Sequence, residues 1–427
     1  MLNYVQNDNK ETNVMRDKNL YTQILNIRQP WEVTDVLLDK DARAIIVHVE
    51  LTKKGVGICP KCGKACPVYD HKPKRWRHLD TCQYKTMIEI NITRVNCEEH
   101  GVLMTQVPWA EDGSKYTALF EALIIDWLHE ASISAIAEQF DLSWSAVDGI
   151  MQRAVSRGLA RRKELKLDHI GIDETSFQKR HEYVTVVTDG IDPKVLYVAD
   201  GRKAECLDEF FDSLTVEQKE QIRVISMDMW DAYIKAVNKH IPDSEMKIAF
   251  DKFHIAKYLC DAVNKVRNKE NHLLMQEGRT ELKGTKFQWL TNPVNMSRDE
   301  RKNFRSLVKS NLKTARAWLM KETAMNIWRY VQPGRVYEYL VEWISWAMHS
   351  RLEPMKKVAR MFKKYIWGII NAILCKVNNG HAESINSKIQ KIKRQSCGFR
   401  NRERFRNAIY FHLGDLSLYP ERIAFWS

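Results

Sequence analysis

Residues 169–173 read HIGID, and residues 222–228 read IRVISMD. Each run has the apolar pattern of a short buried strand, and each ends on an aspartate. A strand end holds a side chain more firmly than a mobile loop does. The two runs therefore predict a sheet with Asp173 and Asp228 at the ends of two of its strands.

A third carboxylate, Glu383, lies much further along the chain, in the segment GHAESINSKIQ. The apolar residues around it are spaced as on one side of a helix, which turns Glu383 away from that side. These apolar residues are Ala382, Ile385, Ile389 and Ile392. Each acid alone is more simply an exposed surface residue. The order strand–Asp, strand–Asp, helix–Glu around a mixed sheet makes the three worth considering as one site.

Three converging carboxylates suit metal-dependent phosphoryl transfer, which uses two cations about 3.5–4 Å apart. Hard cations prefer oxygen ligands, so we expect two Mg²⁺ (or Mn²⁺) ions held by Asp173, Asp228 and Glu383. Asp251 and His254, in the segment FDKFH, follow another predicted strand. They could support the metals or contact DNA, and Asp251 could instead cap a helix.

The cysteines predict a second metal site. Five of the nine fall in the stretch 59–97, where the motifs CPKC and CEEH are each followed by glycine. Two such pairs supply the four ligands of a structural Zn²⁺ ion. The candidate ligands are Cys59, Cys62, Cys97 and His100. Cys66 and Cys82 leave the ligand set open, and some of these cysteines could simply be small buried side chains.

Residues 132–150, SISAIAEQFDLSWSAVDGI, fit two short helices joined by a tight turn. Residues 141–143 interrupt the apolar stripe, and Ser143 can cap the second helix. In a helix-turn-helix the second helix enters the major groove of DNA. The residues expected to contact DNA are Trp144, Ser145, Asp148, Gln152 and Arg153. An ordinary helical hairpin is the alternative that this pattern leaves open.

Basic residues outnumber acidic ones, with 67 Lys and Arg against 54 Asp and Glu, for a net charge of +13. Such a charge favours polyanions such as double-stranded DNA. Basic residues are densest from 388 to 406, beginning on the predicted helix of Glu383, where we expect them to hold the DNA backbone. The candidate contacts are Lys388, Lys391, Arg394, Arg402, Arg404 and Arg406.

No membrane partner is expected. The best apolar stretch, residues 365–375, is too short to cross a bilayer and predicts a buried helix. The N-terminus, MLNYVQNDNKETN, lacks the basic and apolar blocks of a signal peptide. We therefore expect a cytoplasmic protein with reduced cysteines.

Four segments together resemble the DDE transposases of bacterial insertion sequences, most closely the ISL-three family. They are GIDETSF (171–177), MDMWDAYIKAV (227–237), FDKFHIAKYL (250–259) and GHAESINSKIQ (380–390). The resemblance covers nearly the whole chain and makes Asp173, Asp228 and Glu383 the metal-binding triad. One departure is His100, where relatives more often have cysteine, although histidine is an equally good zinc ligand.

The resemblance implies a multidomain α/β protein with a ribonuclease-H-like catalytic domain that contains a large helical insertion. A zinc-binding module and a helix-turn-helix domain precede it. The predicted divisions are a lead-in (1–54), the zinc module (55–108), the helix-turn-helix domain (109–163), the catalytic domain (164–260 and 377–410), the helical insertion (261–376) and a tail (411–427).

The implied function is that of an insertion-sequence transposase. It would bind terminal inverted repeats, cleave phosphodiester bonds at the element ends and join the freed 3′-hydroxyl to target DNA. Both ends must be held together, so a homodimer or larger assembly is expected. The rival hypotheses are a zinc-containing helix-turn-helix regulator that binds without cutting, a ribonuclease-H-type nuclease that cuts without joining, and an inactive transposase.

Overall fold

The structure is a computed structural model. It describes residues 17–52, 57–162, 165–178, 182–376 and 380–422. The chain divides into two compact units, residues 1–162 with 416–427, and residues 163–415. Parts of the predicted lead-in (1–16) and tail (423–427) lie outside the described residues, as do the predicted starts of the two catalytic segments.

Strands form the first part of the first unit. Its elements are α1 (Asp17–Ile24), β1 (Trp31–Asp39), β2 (Ala44–Leu51), β3 (Gly57–Ile58), β4 (Ala65–Cys66), β5 (Val68–Arg77), β6 (Lys85–Cys97) and β7 (Gly101–Met104). A sheet has the order β1-β2-β6-β5, with β7 also paired to β6. β2 and β6 are parallel and the other pairs are antiparallel. β3 and β4 form a separate two-stranded sheet.

Residues 17–52 supply two strands of this sheet, β1 and β2, and the helix α1. β2 alternates between more and less buried residues over most of its length, and α1 adds Tyr21 to the same core. The prediction of a lead-in over residues 1–54 is therefore wrong for residues 17–52, which contain α1, β1 and β2. Apolar and polar residues are interspersed in this segment, so the sequence alone does not show that β1 pairs with β2.

Three helices follow: α2 (Ala118–Glu130), α3 (Ile133–Gln139) and α4 (Trp144–Arg161). Each begins after a hydroxyl residue whose side chain accepts a backbone N–H of the first turn, namely Thr117, Ser132 and Ser143. The predicted break at residues 141–143 and the predicted cap at Ser143 are both confirmed.

The second unit contains a mixed sheet. Its strands and short helices are β8 (His169–Gln178), β9 (Glu182–Asp189), β10 (Val195–Asp200), α5 (Asp208–Asp212), α6 (Val216–Gln221), β11 (Val224–Met227), α7 (Asp231–His240), α8 (Ser244–Lys247) and β12 (Ile248–Phe250). The sheet order is β10-β9-β8-β11-β12. β9 is antiparallel to both β10 and β8, whereas β8, β11 and β12 are parallel.

β8 is longer than predicted because it continues past Asp173. β11 pairs with its first half and ends at Met227, opposite Ile172, while β9 pairs with it as far as Gln178. Asp173 therefore lies inside β8, and its predicted position after the strand is wrong. Asp173 is nevertheless the first residue beyond the ladder shared with β11, level with Asp228. The apolar alternation ends at Ile172 and does not reveal the further pairing with β9.

Helices form most of the chain after β12. They are α9 (Lys252–Gln276), α10 (Lys286–Leu290), α11 (Arg298–Val308), α12 (Lys313–Met325), α13 (Pro333–Met348), α14 (Glu353–Leu374), α15 (Gly380–Gln395) and α16 (Arg402–Leu413). The predicted helical character of this region is confirmed. α9 runs without a break across the predicted boundary at residues 260 and 261. One hydrophobic core joins helices α9 to α14 to the sheet, with Phe250 and Trp343 among its buried residues.

The apolar stretch 365–375 forms the second half of α14 and buries Ile369 and Ile373, as predicted for a core helix. Among the described residues, no helix has both the length and the apolar character needed to cross a membrane.

The C-terminal segment is divided between the units. Residues 411–413 end α16, whereas residues 416–422 lie against α4 in the first unit. A Cβ on Gly158 of α4 would lie 2.7 Å from the Cβ of Leu416, and Arg157 donates to the carbonyl of Leu418 at 2.5 Å. Residues 411–422, the described part of the predicted tail, therefore do not form a separate segment.

Gly368 of α14 packs directly on the ring of Phe250, at the end of β12. A Cβ at this position would lie 2.3 Å from Cε2 of that fully buried ring. We expect Gly368→Ala to lower the free energy of unfolding by about 1–3 kcal/mol, because the ring or the helix must move. Urea denaturation measures the change. The control is Gly334→Ala in α13, where a Cβ meets no atom within 4 Å; an equal loss in both variants would contradict the packing argument.

Candidate active site and zinc centre

Four side chains of the first unit converge as predicted. The ligand atoms of Cys59, Cys62, Cys97 and His100 all lie within 4.8 Å of one another. The Sγ atoms of Cys62 and Cys97 are 3.8 Å apart, and Cys97 Sγ is 3.6 Å from His100 Nδ1. Tetrahedral zinc, with bonds of about 2.3 Å to sulfur and 2.0 Å to nitrogen, requires ligand separations of about 3.5–3.8 Å. The four residues therefore fit a structural Zn²⁺ ion.

Two tight turns direct these ligands. Gly63 and Gly101 follow the two pairs with φ of +70° and +69°, a left-handed conformation that glycine adopts without strain. The N–H of Gly63 donates to the carbonyl of Cys59 at 2.9 Å. The second turn joins β6 to β7, where Cys97 pairs with Gly101. Each short motif thus presents two ligands on the same side of its turn.

The geometry separates the other two cysteines from the ligand set. The Cys66 thiol donates weakly to the Lys64 carbonyl at 3.5 Å, and Cys82 is exposed. The hydrogen bond from His100 lowers the pKa of Cys97 to about 6. Thiolate is the form that binds zinc, so this contact favours the metal-binding state.

Cys97→Ser is expected to lose bound zinc and, with it, the fold of the zinc module, because the metal supplies folding free energy there. Elemental analysis and circular dichroism measure the two effects. The controls Cys66→Ser and Cys82→Ser should each retain about one Zn²⁺ per chain. Full zinc content in Cys97→Ser, or its loss from either control, would show that the ligand set is wrong.

The predicted DNA contacts on α4 differ in their surroundings. Trp144 and Ser145 are exposed at the start of the helix. Asp148 is buried and accepts a hydrogen bond from Gln152 at 3.1 Å. The Nε of Arg153 donates to Glu121 at 2.9 Å. Of the five predicted contacts, Trp144 and Ser145 are thus the exposed ones.

Glu121 of α2, which the sequence analysis did not identify, explains why Arg153 is held. Only 1% of Glu121 is exposed, and its carboxylate accepts from Ser114 Oγ at 2.8 Å and from Arg157 at 3.1 Å. A buried carboxylate needs such partners because its desolvation is costly. No local pattern indicates the contact, since Arg153 and Arg157 lie more than thirty residues away in the sequence.

Arg153→Ala is expected to destabilise the first unit by about 1–3 kcal/mol, because Glu121 stays buried with one cation fewer. Thermal unfolding followed by circular dichroism measures the loss. Ser145→Ala, at an exposed position on the same helix, should change stability by less than about 0.5 kcal/mol. If Arg153→Ala is as stable as Ser145→Ala, the ion pair has no structural role.

In the second unit, Asp173 and Asp228 are brought together across the parallel pair β8–β11. His254 lies between them, with Nδ1 3.3 Å from an Asp228 oxygen and Nε2 4.0 Å from an Asp173 oxygen. The Tyr258 hydroxyl donates to Asp228 at 3.3 Å. His254 and Tyr258 are four residues apart on α9, so both lie on the helix face that meets the carboxylates. The four-residue spacing of His254 and Tyr258 is visible in the sequence, but only the packing of α9 shows that both side chains contact Asp228.

The two carboxyl groups have different electrostatic environments. Burial raises the pKa of Asp173. Burial would also raise the pKa of Asp228, but the hydrogen bond and charge of His254 outweigh it and the net shift is downward. Burial lowers the pKa of His254, yet the neighbouring carboxylates raise it above its ordinary value. The site therefore favours positive charge between its acids.

Asp251 caps α9, because its side chain accepts the N–H of Phe253 at 2.7 Å. Of the roles considered for Asp251 from the sequence, helix capping is thus confirmed. Its carboxylate is also 3.8 Å from Nε2 of His254. The cap fixes the first turn of α9, which carries His254 toward the other two acids.

α15 is fastened along β8 by three polar contacts. Asn386 Nδ2 donates to Asp173 at 2.5 Å, Gln390 Nε2 to Thr175 at 2.9 Å, and Lys393 Nζ to the Ser176 carbonyl at 2.9 Å. Its predicted apolar side is buried at all three isoleucines. Glu383 is exposed and lies one turn before Asn386, on the same helix face.

The predicted basic residues continue along α15 and α16. Lys388, Lys391, Arg394 and Arg402 are exposed, while Arg404 and Arg406 are partly buried. Arg402 lies 3.3 Å from Glu182 and over the ring of Phe177. The exposed members of this set offer positive charge on α15, whose Asn386 contacts Asp173, and at the start of α16.

Comparison with known families matches three successive parts of the chain. A model of the zinc finger of transposases IS204, IS1001, IS1096 and IS1165 matches residues 55–100. A model of the helix-turn-helix domain of transposase family ISL3 matches residues 105–155. The ISL3 DDE transposase model, described as a transposase, matches residues 170–409, more than half of the chain. The predicted zinc-binding and helix-turn-helix modules are confirmed by these matches.

Individual relatives are similar over most of their length. The transposase for insertion sequence element IS1001 of Bordetella parapertussis is 26% identical over 368 residues, covering 85% of this chain and 90% of the relative. The transposase for IS1557 of Mycobacterium tuberculosis is 27% identical over 418 residues, covering 91% and 93%. With a zinc finger, a helix-turn-helix and a transposase domain in this order, the chain belongs to the ISL3 family of insertion-sequence transposases.

Proposed function

We propose that this chain cleaves and joins DNA at a site formed by Asp173, Asp228 and Glu383. The observation that carries the proposal is the position of Asp173 and Asp228 side by side at one end of the parallel pair β8–β11. The helix of Glu383 is hydrogen-bonded to Asp173 through Asn386. Neighbouring, partly buried carboxylates raise the free energy of the site unless cations bind there.

The sheet supports the assignment of a ribonuclease-H-like catalytic domain. Three antiparallel strands lie next to two strands parallel to the first, in the order β10-β9-β8-β11-β12. This is the strand arrangement of ribonuclease-H-like sheets. Helices α9 to α14 lie between β12 and the helix of the third carboxylate, where the resemblance implies an insertion.

The donor atoms fit Mg²⁺ (or Mn²⁺). Asp173, Asp228 and Glu383 would hold the ions through carboxylate oxygens, the ligands that hard cations prefer. Two bound ions supply activation of the attacking oxygen and stabilisation of the leaving oxygen. Asn386 orients Asp173, and Tyr258 orients Asp228.

The proposed reaction has two steps at one site. First, a water oxygen bonds to the phosphorus at the element's end and the bond to the 3′ oxygen breaks, which leaves a 3′-hydroxyl. That hydroxyl then attacks a phosphodiester of target DNA and a target 3′ oxygen leaves. The protein forms no covalent bond to DNA. Because both element ends must be joined, we propose that at least two copies of the chain act together.

DNA recognition is proposed for the first unit, with α4 in the major groove. Trp144 and Ser145 are the proposed readers of the terminal inverted repeats, because they are exposed at the start of α4. Arg153 leaves this set, since its guanidinium is paired with Glu121. Backbone contacts near the cut are proposed for exposed residues of α15 and α16, namely Lys388, Lys391, Arg394 and Arg402.

Glu383→Gln tests the proposal directly. With Mg²⁺ and labelled DNA carrying the element's own end, the wild type should give cut and joined products. We expect the variant to give them at least about 100-fold more slowly, because a neutral amide is a poor ligand for a hard cation. Denaturing electrophoresis measures the products, and fluorescence anisotropy should show nearly equal DNA affinity.

The matched control is Glu338→Gln, at an exposed glutamate of α13, which should react like the wild type. Binding without cutting by the wild type would instead indicate a regulator or an inactive transposase. Cutting without joined products would favour a nuclease. Equal rates for wild type and Glu383→Gln would remove Glu383 from the site.

A further inference from the structure

An exposed tryptophan follows one of the proposed catalytic carboxylates. Trp230 is two residues after Asp228, and its backbone N–H donates to the Asp228 carbonyl at 2.7 Å. Trp230 is 42% exposed. Its neighbours Met229 and Tyr233 are buried in the core, but Trp230 is not among the residues of that core or those packed against it. Core packing therefore does not account for the position of this ring.

The indole is held in a fixed orientation. Its Nε1–H donates to the Arg202 carbonyl at 3.2 Å, and the Arg202 guanidinium lies 5.2 Å from the ring centre. The same guanidinium lies 4.8 Å from the ring of Tyr183 and 3.8 Å from Glu174. Arg202 therefore bridges two aromatic rings, and the distances are those of cation–π contacts.

We propose that Trp230, Arg202 and Tyr183 form a stacking platform for an unpaired nucleobase at the DNA end. This rests on the proposed function, because it places the base beside the phosphodiester to be cut. Arg202 covers one face of the indole, and the exposed surface of Trp230 is available to a second flat group. A nucleobase stacks on such a surface, and the guanidinium favours the accompanying phosphate.

The surroundings favour a nucleobase over an aliphatic ligand. The platform combines π faces with a cationic side chain that is itself 40% exposed, which matches the flat ring and the negatively charged phosphate of a nucleotide. Opening the last base pairs of a duplex gives the scissile phosphate more freedom to reach the carboxylates. Stacking of the released base on Trp230 would offset the free-energy cost of unpairing. Phe253, beside His254 and 55% exposed, is the alternative stacking residue.

The test compares element-end duplexes that differ only in a short unpaired extension, with normal bases or abasic sites. Binding is measured by anisotropy without added divalent cation, so it does not depend on cleavage. We expect the wild type to prefer the extension with bases by about 5- to 150-fold. Trp230→Ala should lose this preference and Trp230→Phe should retain part of it. A 2-aminopurine in the extension should be quenched by the wild type and not by Trp230→Ala.

The matched control is Trp346→Ala in α13, because Trp346 is also 42% exposed; it should keep the full preference. An unchanged preference in Trp230→Ala overturns the proposal, as does its loss in Phe253→Ala alone. The absence of any preference in the wild type also overturns it. Cleavage of blunt element-end DNA with Mg²⁺ is measured in the same preparations. If the wild type cuts that DNA without preferring unpaired bases, only the platform is wrong; if it neither binds nor cuts, the proposed function fails as well.

Discussion

The parallel pairing of β8 with β11 places two carboxylates next to each other, and much of the second unit is arranged around that constraint. Asp173 and Asp228 lie just beyond the last residues that β8 and β11 pair with each other, Ile172 and Met227. Two partly buried carboxylates on neighbouring strands repel each other when both are ionised, and cationic or hydrogen-bonding groups stabilise that state. α9 provides His254 and Tyr258, and α15 provides Asn386.

The need for such partners around the two acids also explains the role of helices α9 to α14. α9 begins at the end of β12 with Asp251 as its cap, which directs the first turn toward the two acids. The remaining helices share the core of the sheet, where Gly368 allows α14 to approach Phe250 closely. The helical segment therefore supports the carboxylates from one side as part of a common core. Rigid support of this kind keeps donor atoms in the geometry that a metal site needs.

The first unit contains two other arrangements in which buried charged groups have compensating partners. Near β6, thiolates and an imidazole are positioned to share a cation, which supplies folding free energy where apolar residues are few. Between α2 and α4, the buried Glu121 is matched by Arg153 and Arg157. The second arrangement includes Arg153, which the helix pattern predicts to be a DNA contact. In α4, Arg153 and Arg157 therefore balance a buried acid.

The sequence by itself determined those features in which the interacting groups are close along the chain. The zinc ligands come in two short motifs, the helix-turn-helix has its cap at Ser143, and the strands before Asp173 and Asp228 show their own periodicity. Tertiary structure decided the features that need distant partners. These include the extension of β8 beyond Asp173, the sheet position of residues 17–52, the pairing of Arg153 with Glu121, and the contact of Asn386 with Asp173. Local patterns report which surface of an element is apolar, whereas the partner that covers a polar group depends on how separate elements pack.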